Sequence, residues 1–394
     1  MRVLMFGWEF PPYISGGLGT ACLGLTQALS RLGVQIIFVL PHIKGEISAS
    51  HVEIRSASSA LGPGKKFTRL YAYPPAAGYH NGEKAFTGEY TADMLREVES
   101  YGIAAGIIAS QERFHVIHAH DWMTVYAGLA ARKASGRPFI YHVHSLEFDR
   151  SGDNVNREIF EIERLGLWEA DHVISVSNYT KSMIIRRYGL DPQKVTVVHN
   201  AVSRKEGMTY ARMPKNPHEK IVLFLGRITF QKGPDYFVEA AARVIRAMPE
   251  VRFVMVGTGD MMPAMVERVA SLGLGSHFHF TGFLQGAEVD SMYALSDLYV
   301  MPSVSEPFGI TPLEAMLYDV PVIISRQSGV SEVVRHALKV DFWDVEELAN
   351  MMVSALKHPA LVRELTEKSQ EDLKNIHWDR AAEKVVRLYQ DLCS

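Results

Sequence analysis

Apolar residues follow two rhythms along the chain. Short runs rich in Val, Ile, Leu and Phe, namely RVLMFG, VQIIFVLP, FHVIHAHD, PFIYHVH, DHVISVS and KVTVVHN, read as strands buried on both faces. Longer stretches with helical spacing, such as LGTACLGLTQALSRLG, lie between them. This alternation predicts a parallel sheet with helices on both faces. From Ala201 to Lys220 the rhythm stops and Pro, Lys and Asn take over, as in an interdomain linker. It then restarts with KIVLFLG, VRFVMVG, FHFTG, DLYVMPS and VPVIIS. The reading is α/β, with two Rossmann-like doubly wound domains of similar size. The first spans 1–203, a linker 204–219 and the second 220–377, while a final helix at 378–394 could cross back onto the first domain. A chain of 394 residues is long enough for two such cores. In open α/β sheets ligands bind beyond the carboxyl ends of the strands, so two sheets facing a central cleft would place a ligand between them.

Bulk properties narrow the function. A hydrophobic share of 47% with 22% charged residues is ordinary for a soluble globular protein. The formal charge of −3 gives no basic field, so nucleic acid is not expected as a partner. No run of about 18 apolar residues occurs, so no integral membrane segment is expected. The opening MRVLMFGWEFPP is broken by Gly7 and Glu9 and leads to no small-residue cleavage site, unlike a signal peptide. Cys22 and Cys393 stand near opposite ends without metal-ligand spacing, which fits a reduced, cytoplasmic compartment.

Three strand-end loops carry the candidate chemistry. PPYISGGLGTACLGL follows the first strand; Gly16, Gly17 and Gly19 free its backbone, and a helix opening at Gly19 or Thr20 would present amides to an anion. A plain tight turn is the simpler reading. The dinucleotide fingerprint G-x-G-x-x-G is absent, because these glycines are adjacent and no matching acid ends the second strand. FLGRITFQKG opens the second domain. Arg227 and Lys232 flank a turn there and could hold a diphosphate without a metal, or be ordinary surface charge. EPFGITPLE spaces Glu306 and Glu314 with seven residues between. Thr311 as N-cap, Pro312 at the first helical position and Glu314 at the third would make a capping box. Alternatively Gly309, Ile310 and Thr311 face an anion, Glu314 holds ribose hydroxyls and Glu306 accepts from a sugar.

Histidines cluster at strand ends in VIHAHDW (His118, His120, Asp121) and YHVHSLEF (His142, His144). Alternation puts both side chains of H-x-H on one face, but no further Cys or H-E-x-x-H pattern completes a zinc site, so no metal is expected. His118 and His142 read as buried structural residues. His144 and Asp121 are the active-site candidates, with Asp121 equally suited to cap the helix that follows.

Taken together, SGGLG after the first strand, GRITFQKG at the start of the second domain and EPFGITPLE as an E-x7-E motif resemble the retaining glycosyltransferases of the GT-B fold, in particular family 4. VSNYTKSMI, VVHNAV and DVPVIISRQSGVSEVV are similar to the same pattern, so the resemblance spans nearly the whole chain. It implies an α-linked product formed with retention from a nucleotide-sugar donor, metal-independent and with domain closure. Arg227 and Lys232 would neutralise the leaving diphosphate, approached from domain one by Gly16, Gly17 and Leu18. Glu306 would contact the donor sugar, Glu314 the ribose and His144 the sugar ring. Gly257, Phe308, Gly309, Ile310 and Thr311 would complete the donor site. The retaining step it implies is a same-face attack in which the leaving phosphate assists deprotonation of the acceptor, with no dedicated nucleophile.

Within that clan WEFPPYISGGLG and HAHDW resemble the glycogen and starch synthases, which would make Asp121 an acceptor-side residue, ADP-glucose or UDP-glucose the donor and a glucan the acceptor. Two departures stand against this. Bacterial glycogen synthases have a lysine where this chain has Ile14, and they lack the second glutamate that Glu314 supplies. The rival within the family is an enzyme acting on a small molecule, a lipid headgroup or a cell-surface glycan. Outside it, a solute-binding protein would need an export signal and a dehydrogenase the dinucleotide fingerprint. A catalytically silent relative would be expected to have lost some of His144, Arg227, Lys232, Glu306 and Glu314.

Overall fold

All eleven apolar runs named above form strands, and every strand pair is parallel. The computed structural model describes the chain except for residues 15, 44, 46, 48, 62–91, 205–209 and 217–218. The chain divides into two compact units, whose described residues are 1–61, 92–201 and 377–394 in the first and 202–376 in the second.

The first unit holds a seven-stranded sheet: β1 (Arg2–Phe6), β2 (Gln35–Leu40), β3 (Glu53–Ser56), β4 (Val116–His120), β5 (Phe139–Val143), β6 (His172–Ser175) and β7 (Val195–Val197). Its order is β3-β2-β1-β4-β5-β6-β7. The second unit holds six strands: β8 (Lys220–Leu225), β9 (Val251–Val256), β10 (Phe278–Gly282), β11 (Leu298–Met301), β12 (Val322–Ser325) and β13 (Leu338–Val340). Their order is β10-β9-β8-β11-β12-β13. Strand order reverses between β1 and β4 in one sheet and between β8 and β11 in the other. In each sheet, the loops beyond the two strands at the reversal therefore flank a crevice of the kind in which such sheets take ligands.

Two strands go beyond the sequence reading, β3 (EIRS) and β13 (LKV). Both are short, lie at sheet edges and bury little, so neither shows the apolar run that marks a strand covered on both sides. Central strands do: Val3, Leu4, Met5 and Phe6 of β1 are fully buried. Each such side chain contributes roughly 1.5–3 kcal/mol over leaving it exposed.

The Trp378–Cys393 helix belongs to the first unit. It lies along the Gly17–Arg31 helix so closely that a Cβ on Gly24 would fall 2.2 Å from Trp378 Nε1. Arg31 pairs with Asp379 at 2.6 Å, and Tyr389 is buried with its hydroxyl 2.5 Å from His118 Nδ1. Described residues of the Pro- and Lys-rich stretch are tied to the second unit. Met213 N donates to Ala294 O at 3.0 Å, Lys215 Nζ to Leu295 O at 2.7 Å, and the Tyr210 and Tyr318 rings sit 4.9 Å apart. Residues 205–209 and 217–218 of the linker reading lie outside the described residues. Among the described residues no helix is long and apolar enough to cross a membrane.

Candidate active site

In the second unit, two glycines press three strand-end loops together. Gly257, after β9, has φ +132°, and a Cβ there would fall 1.9 Å from the Gly226 carbonyl oxygen beyond β8. Gly233 has φ +62°, and its Cβ would fall 2.2 Å from the Pro302 carbonyl oxygen beyond β11. Only glycine fits at either place. The close approach lets Lys232 Nζ, at the end of the β8 loop, reach Glu306 Oε2 in the β11 loop at 2.5 Å. Ser303 Oγ donates to the same carboxylate oxygen at 3.3 Å. Glu306 is buried, and its loop is laced to the turn after β12: Glu306 N donates to Gln327 O, Gly329 N to Glu306 O and Val330 N to Phe308 O, at 3.0, 2.9 and 2.7 Å. Arg227 Nη2 donates to Gln231 Oε1 at 2.9 Å. The structure thus brings Arg227, Lys232, Glu306, Gly257 and Gly309 to one crevice at the point where the strand order reverses.

The capping box does not form. The helix runs Thr311–Leu317 with Ile310 at the N-cap position and no side-chain cap. Thr311 Oγ1 instead accepts from the Tyr299 hydroxyl at 2.7 Å, and Glu314 Oε2 accepts from the Tyr293 hydroxyl at 2.8 Å. Tyr293 is buried, and burial beside Glu314 pushes its phenol well up, so it stays a donor. It fixes the Glu314 carboxylate from behind. Phe308 is buried, and its carbonyl accepts the Val330 amide.

The first unit builds a different site. The helix after β1 starts at Gly17 rather than Gly19 or Thr20, because Glu9 Oε1 accepts the Gly19 amide at 3.1 Å and caps it from outside. Gly16 and Gly17 are exposed, and a Cβ on either would meet nothing within 4 Å; Leu18 turns its side chain into the core. The glycine backbone is therefore open to a ligand.

Beyond β4 and β5, Asp121 sits at φ +61°, where a non-glycine residue is strained. Its side chain does not cap the following helix. Asp121 Oδ1 accepts the His144 and Ser145 amides at 2.7 and 3.0 Å, which ties the two strand ends together. Burial raises its carboxyl to about 6, against the opposing pull of Arg150 and those amides. Arg150, buried in turn, donates from Nη1 to Ser145 Oγ at 2.7 Å and pairs with Glu147 and Glu163 at 3.0 and 2.7 Å.

Register pairs His120 of β4 with His142 of β5, which stacks four imidazoles on one face. His118 and His120 lie 4.4 Å apart by ring centroid, and His142 and His144 4.3 Å. Tyr389 OH contacts His118 Nδ1, His118 Nε2 contacts His142 Nδ1 at 3.1 Å, and His120 Nδ1 contacts His144 Nε2 at 2.9 Å. Burial keeps all four rings neutral, with His118 and His144 lowered to about 3. Cys22 approaches this stack from the helix after β1, a placement its sequence position gives no sign of. Arg150, Gln231, Tyr293 and Ser303 also escape the sequence reading, since each acts by holding another residue and carries no motif of its own.

The chain matches known proteins along nearly its whole length. Residues 211–372 match the family described as Glycosyl transferases group 1, and residues 15–206 match Glycosyltransferase Family 4. The chain is a GT-B glycosyltransferase. Three relatives of this glycosyltransferase show the spread of the group. An uncharacterised glycosyltransferase of Methanocaldococcus jannaschii is 27% identical, covering 99% of this chain and 98% of its own. A glycogen synthase of Mycobacterium tuberculosis is 24% identical over 99% and 94%. A D-inositol 3-phosphate glycosyltransferase of Rhodococcus jostii is 27% identical over 73% and 69%. Among solved structures, the sucrose-phosphate synthase of Thermosynechococcus elongatus superposes with a TM-score of 0.76 at 22% identity, covering 99% of this glycosyltransferase and 98% of that chain.

Proposed function

We propose that the enzyme transfers a glucosyl unit from ADP-glucose or UDP-glucose, with retention, to the end of an α-glucan. The observation that carries this reading is the Lys232–Glu306 pair across the β8 and β11 loops, with Arg227 beside it. A diphosphate entering that crevice competes for Lys232. Glu306 then gives up its cation and turns its carboxylate to the hydroxyls of the donor sugar. Arg227 adds a planar donor fork for phosphate oxygens. Together the two cations supply the charge that departure of the diphosphate demands, so the reading assigns the transfer step no metal. Glu314, held by Tyr293, takes the ribose.

On the first unit, His144 presents a neutral imidazole to the sugar ring, and Asp121 holds it by its backbone. The acceptor hydroxyl attacks on the face the diphosphate leaves, and a phosphate oxygen takes its proton. The bond from the anomeric carbon to the phosphate oxygen breaks as the new glycosidic bond forms. No protein nucleophile enters. The free thiols of Cys22 and Cys393 suit a cytoplasmic setting.

A second reading keeps the donor half and changes the acceptor to a small molecule. It is favoured by the relative named for D-inositol 3-phosphate and by Ile14, whose side chain packs over Gly19 where bacterial glycogen synthases have a lysine. Release of nucleoside diphosphate from ADP-glucose, UDP-glucose and GDP-mannose, each with and without glycogen primer, separates the two. Primer-dependent release with lengthened chains supports the glucan synthase; release indifferent to primer supports the second reading. Neither release nor binding of any nucleotide sugar would overturn both.

A further inference from the structure

By sequence spacing alone Cys22 has no partner ligands and the H-x-H pairs lack a third one. Folding changes that. One donor atom from each of Cys22, His120 and His144 lies within 4.8 Å of the others, and the triple His118, His120 and His142 meets the same limit. Cys22, His118, His120 and His142 are buried, while His144 is half-buried and offers the way in from solvent. Nε2 of His120 and Nε2 of His142 have no hydrogen-bond partner among the described residues. Buried polar nitrogens are nearly always satisfied, so two orphans in one cluster call for an explanation.

We propose that Cys22, His120 and His144 form a site for a borderline-soft divalent cation of the Zn2+ class, with His142 as an available fourth donor, and that an ion bound there arrests transfer. Thiolate and imidazole are the ligands such an ion prefers. Its bonds of about 2.0–2.3 Å put donor–donor edges of a tetrahedral site at about 3.3–3.6 Å. The 4.8 Å limit is wider by about an ångström, which side-chain rotation can close. Mg2+ and Ca2+ seek oxygen and do not suit this donor set. At neutral pH an imidazole needs no deprotonation to bind a metal. The Cys22 thiol does: as the sulfur–metal bond forms, its proton leaves to solvent. An ion bonded to His144 also fixes its ring. Arrest of transfer rests on the proposed place of His144 at the sugar; binding of the ion does not.

The test titrates Co2+, a spectroscopic stand-in for Zn2+, into the full chain carrying Cys393→Ser, which removes the exposed thiol. One equivalent should bind with a thiolate-to-cobalt charge-transfer band and the intense visible bands of a four-coordinate ion. Cys22→Ala should remove the charge-transfer band and weaken binding at least about tenfold, and His120→Gln should weaken it similarly. Cys22→Ala keeps a small apolar group in the core, and its thermal melt checks the fold. Should it unfold, the band in the parent and its loss of intensity in His120→Gln still decide the matter. No thiolate band in the parent, or a band that survives Cys22→Ala, overturns the site. Zn2+ should also inhibit transfer, and Cys22→Ala should raise the half-inhibiting concentration about tenfold or more against that variant's own rate. A thiolate band with undiminished transfer upholds the site and overturns the arrest, and with it the placement of His144 at the sugar.

Discussion

The two units share a topology and use it for opposite electrostatics. Each places its strand-end loops at a reversal of strand order, β1/β4 in one and β8/β11 in the other. Beyond β8 and β11 lies a half-buried ion pair, Lys232 with Glu306, and a second cation in Arg227. On β4 and β5 stand three neutral imidazoles, His118, His120 and His142, and just beyond them lie a fourth, His144, and a carboxylate, Asp121, spent on backbone amides. The topology decides where a ligand goes, and the side chains decide which part of it can be held. A diphosphate needs the charges of the second unit. On the proposed reading the first unit meets the uncharged sugar through His144, the ring of the four that is not fully buried.

The largest effect should come from removing the charges. Lys232→Ala and Arg227→Ala should each lower kcat/KM by about 2–4 kcal/mol, roughly 30- to 1,000-fold, as lost transition-state electrostatics. Steady-state kinetics within threefold of the parent for both would remove the contrast between the units. Lys232→Ala also leaves Glu306 buried without its cation, so its melt should be compared with that of Lys232→Arg.

Next comes a pH effect confined to the first unit. Burial raises Glu163 to about 7, outweighing Arg150, which it shares with Glu147. A carboxyl with a raised folded-state value stabilises the fold fully below its unfolded value and loses that contribution as pH rises through the folded one. The contribution of Glu163 alone should therefore fall by about 3 kcal/mol between about pH 4.5 and pH 7, against the rise that the four buried imidazoles give over the same range. Denaturant titrations of the parent and of Glu163→Gln should give a stability difference, parent minus variant, that falls across this range; a difference constant with pH would mean that Glu163 does not titrate there.

A smaller loss should follow from separating the loops of the second unit. Gly257→Ala places a methyl against the Gly226 carbonyl at a φ that alanine avoids, which should cost about 2 kcal/mol of stability and weaken nucleotide binding. Equal stability and affinity would show that the loops need not touch. The smallest effect is expected at Glu314. Glu314→Gln keeps an acceptor for Tyr293, so stability should change by less than about 1 kcal/mol while nucleoside diphosphate binding weakens. A loss confined to stability would make Glu314 structural.

The buried strands were legible because a strand covered on both faces must be apolar throughout. β3 and β13 were not, being edge pieces that bury too little to leave that mark. Arg227, Lys232, Glu306 and Glu314 were found as motif residues, but not the contacts that organise them: Lys232 reaches Glu306 across 74 positions and Tyr293 reaches Glu314 across 21, while Gln231 and Ser303, close in sequence to Arg227 and Glu306, are placed by the turns of their loops. The capping box shows the limit of local reading. Its spacing was right, yet Tyr299 and Tyr293, from elsewhere in the fold, claimed Thr311 and Glu314. Spacing along the chain likewise gave no sign that Cys22 lies beside the histidines. Only the fold lays one helix beside two strand ends.

The division of labour between the units is the central claim, and calorimetric binding of ADP and UDP to the parent, Lys232→Ala and Asp121→Asn tests it most directly. Lys232→Ala should raise the Kd of the preferred diphosphate by about 30-fold or more, some 2 kcal/mol, while Asp121→Asn stays within about threefold. A large loss in Asp121→Asn with little in Lys232→Ala would contradict the account.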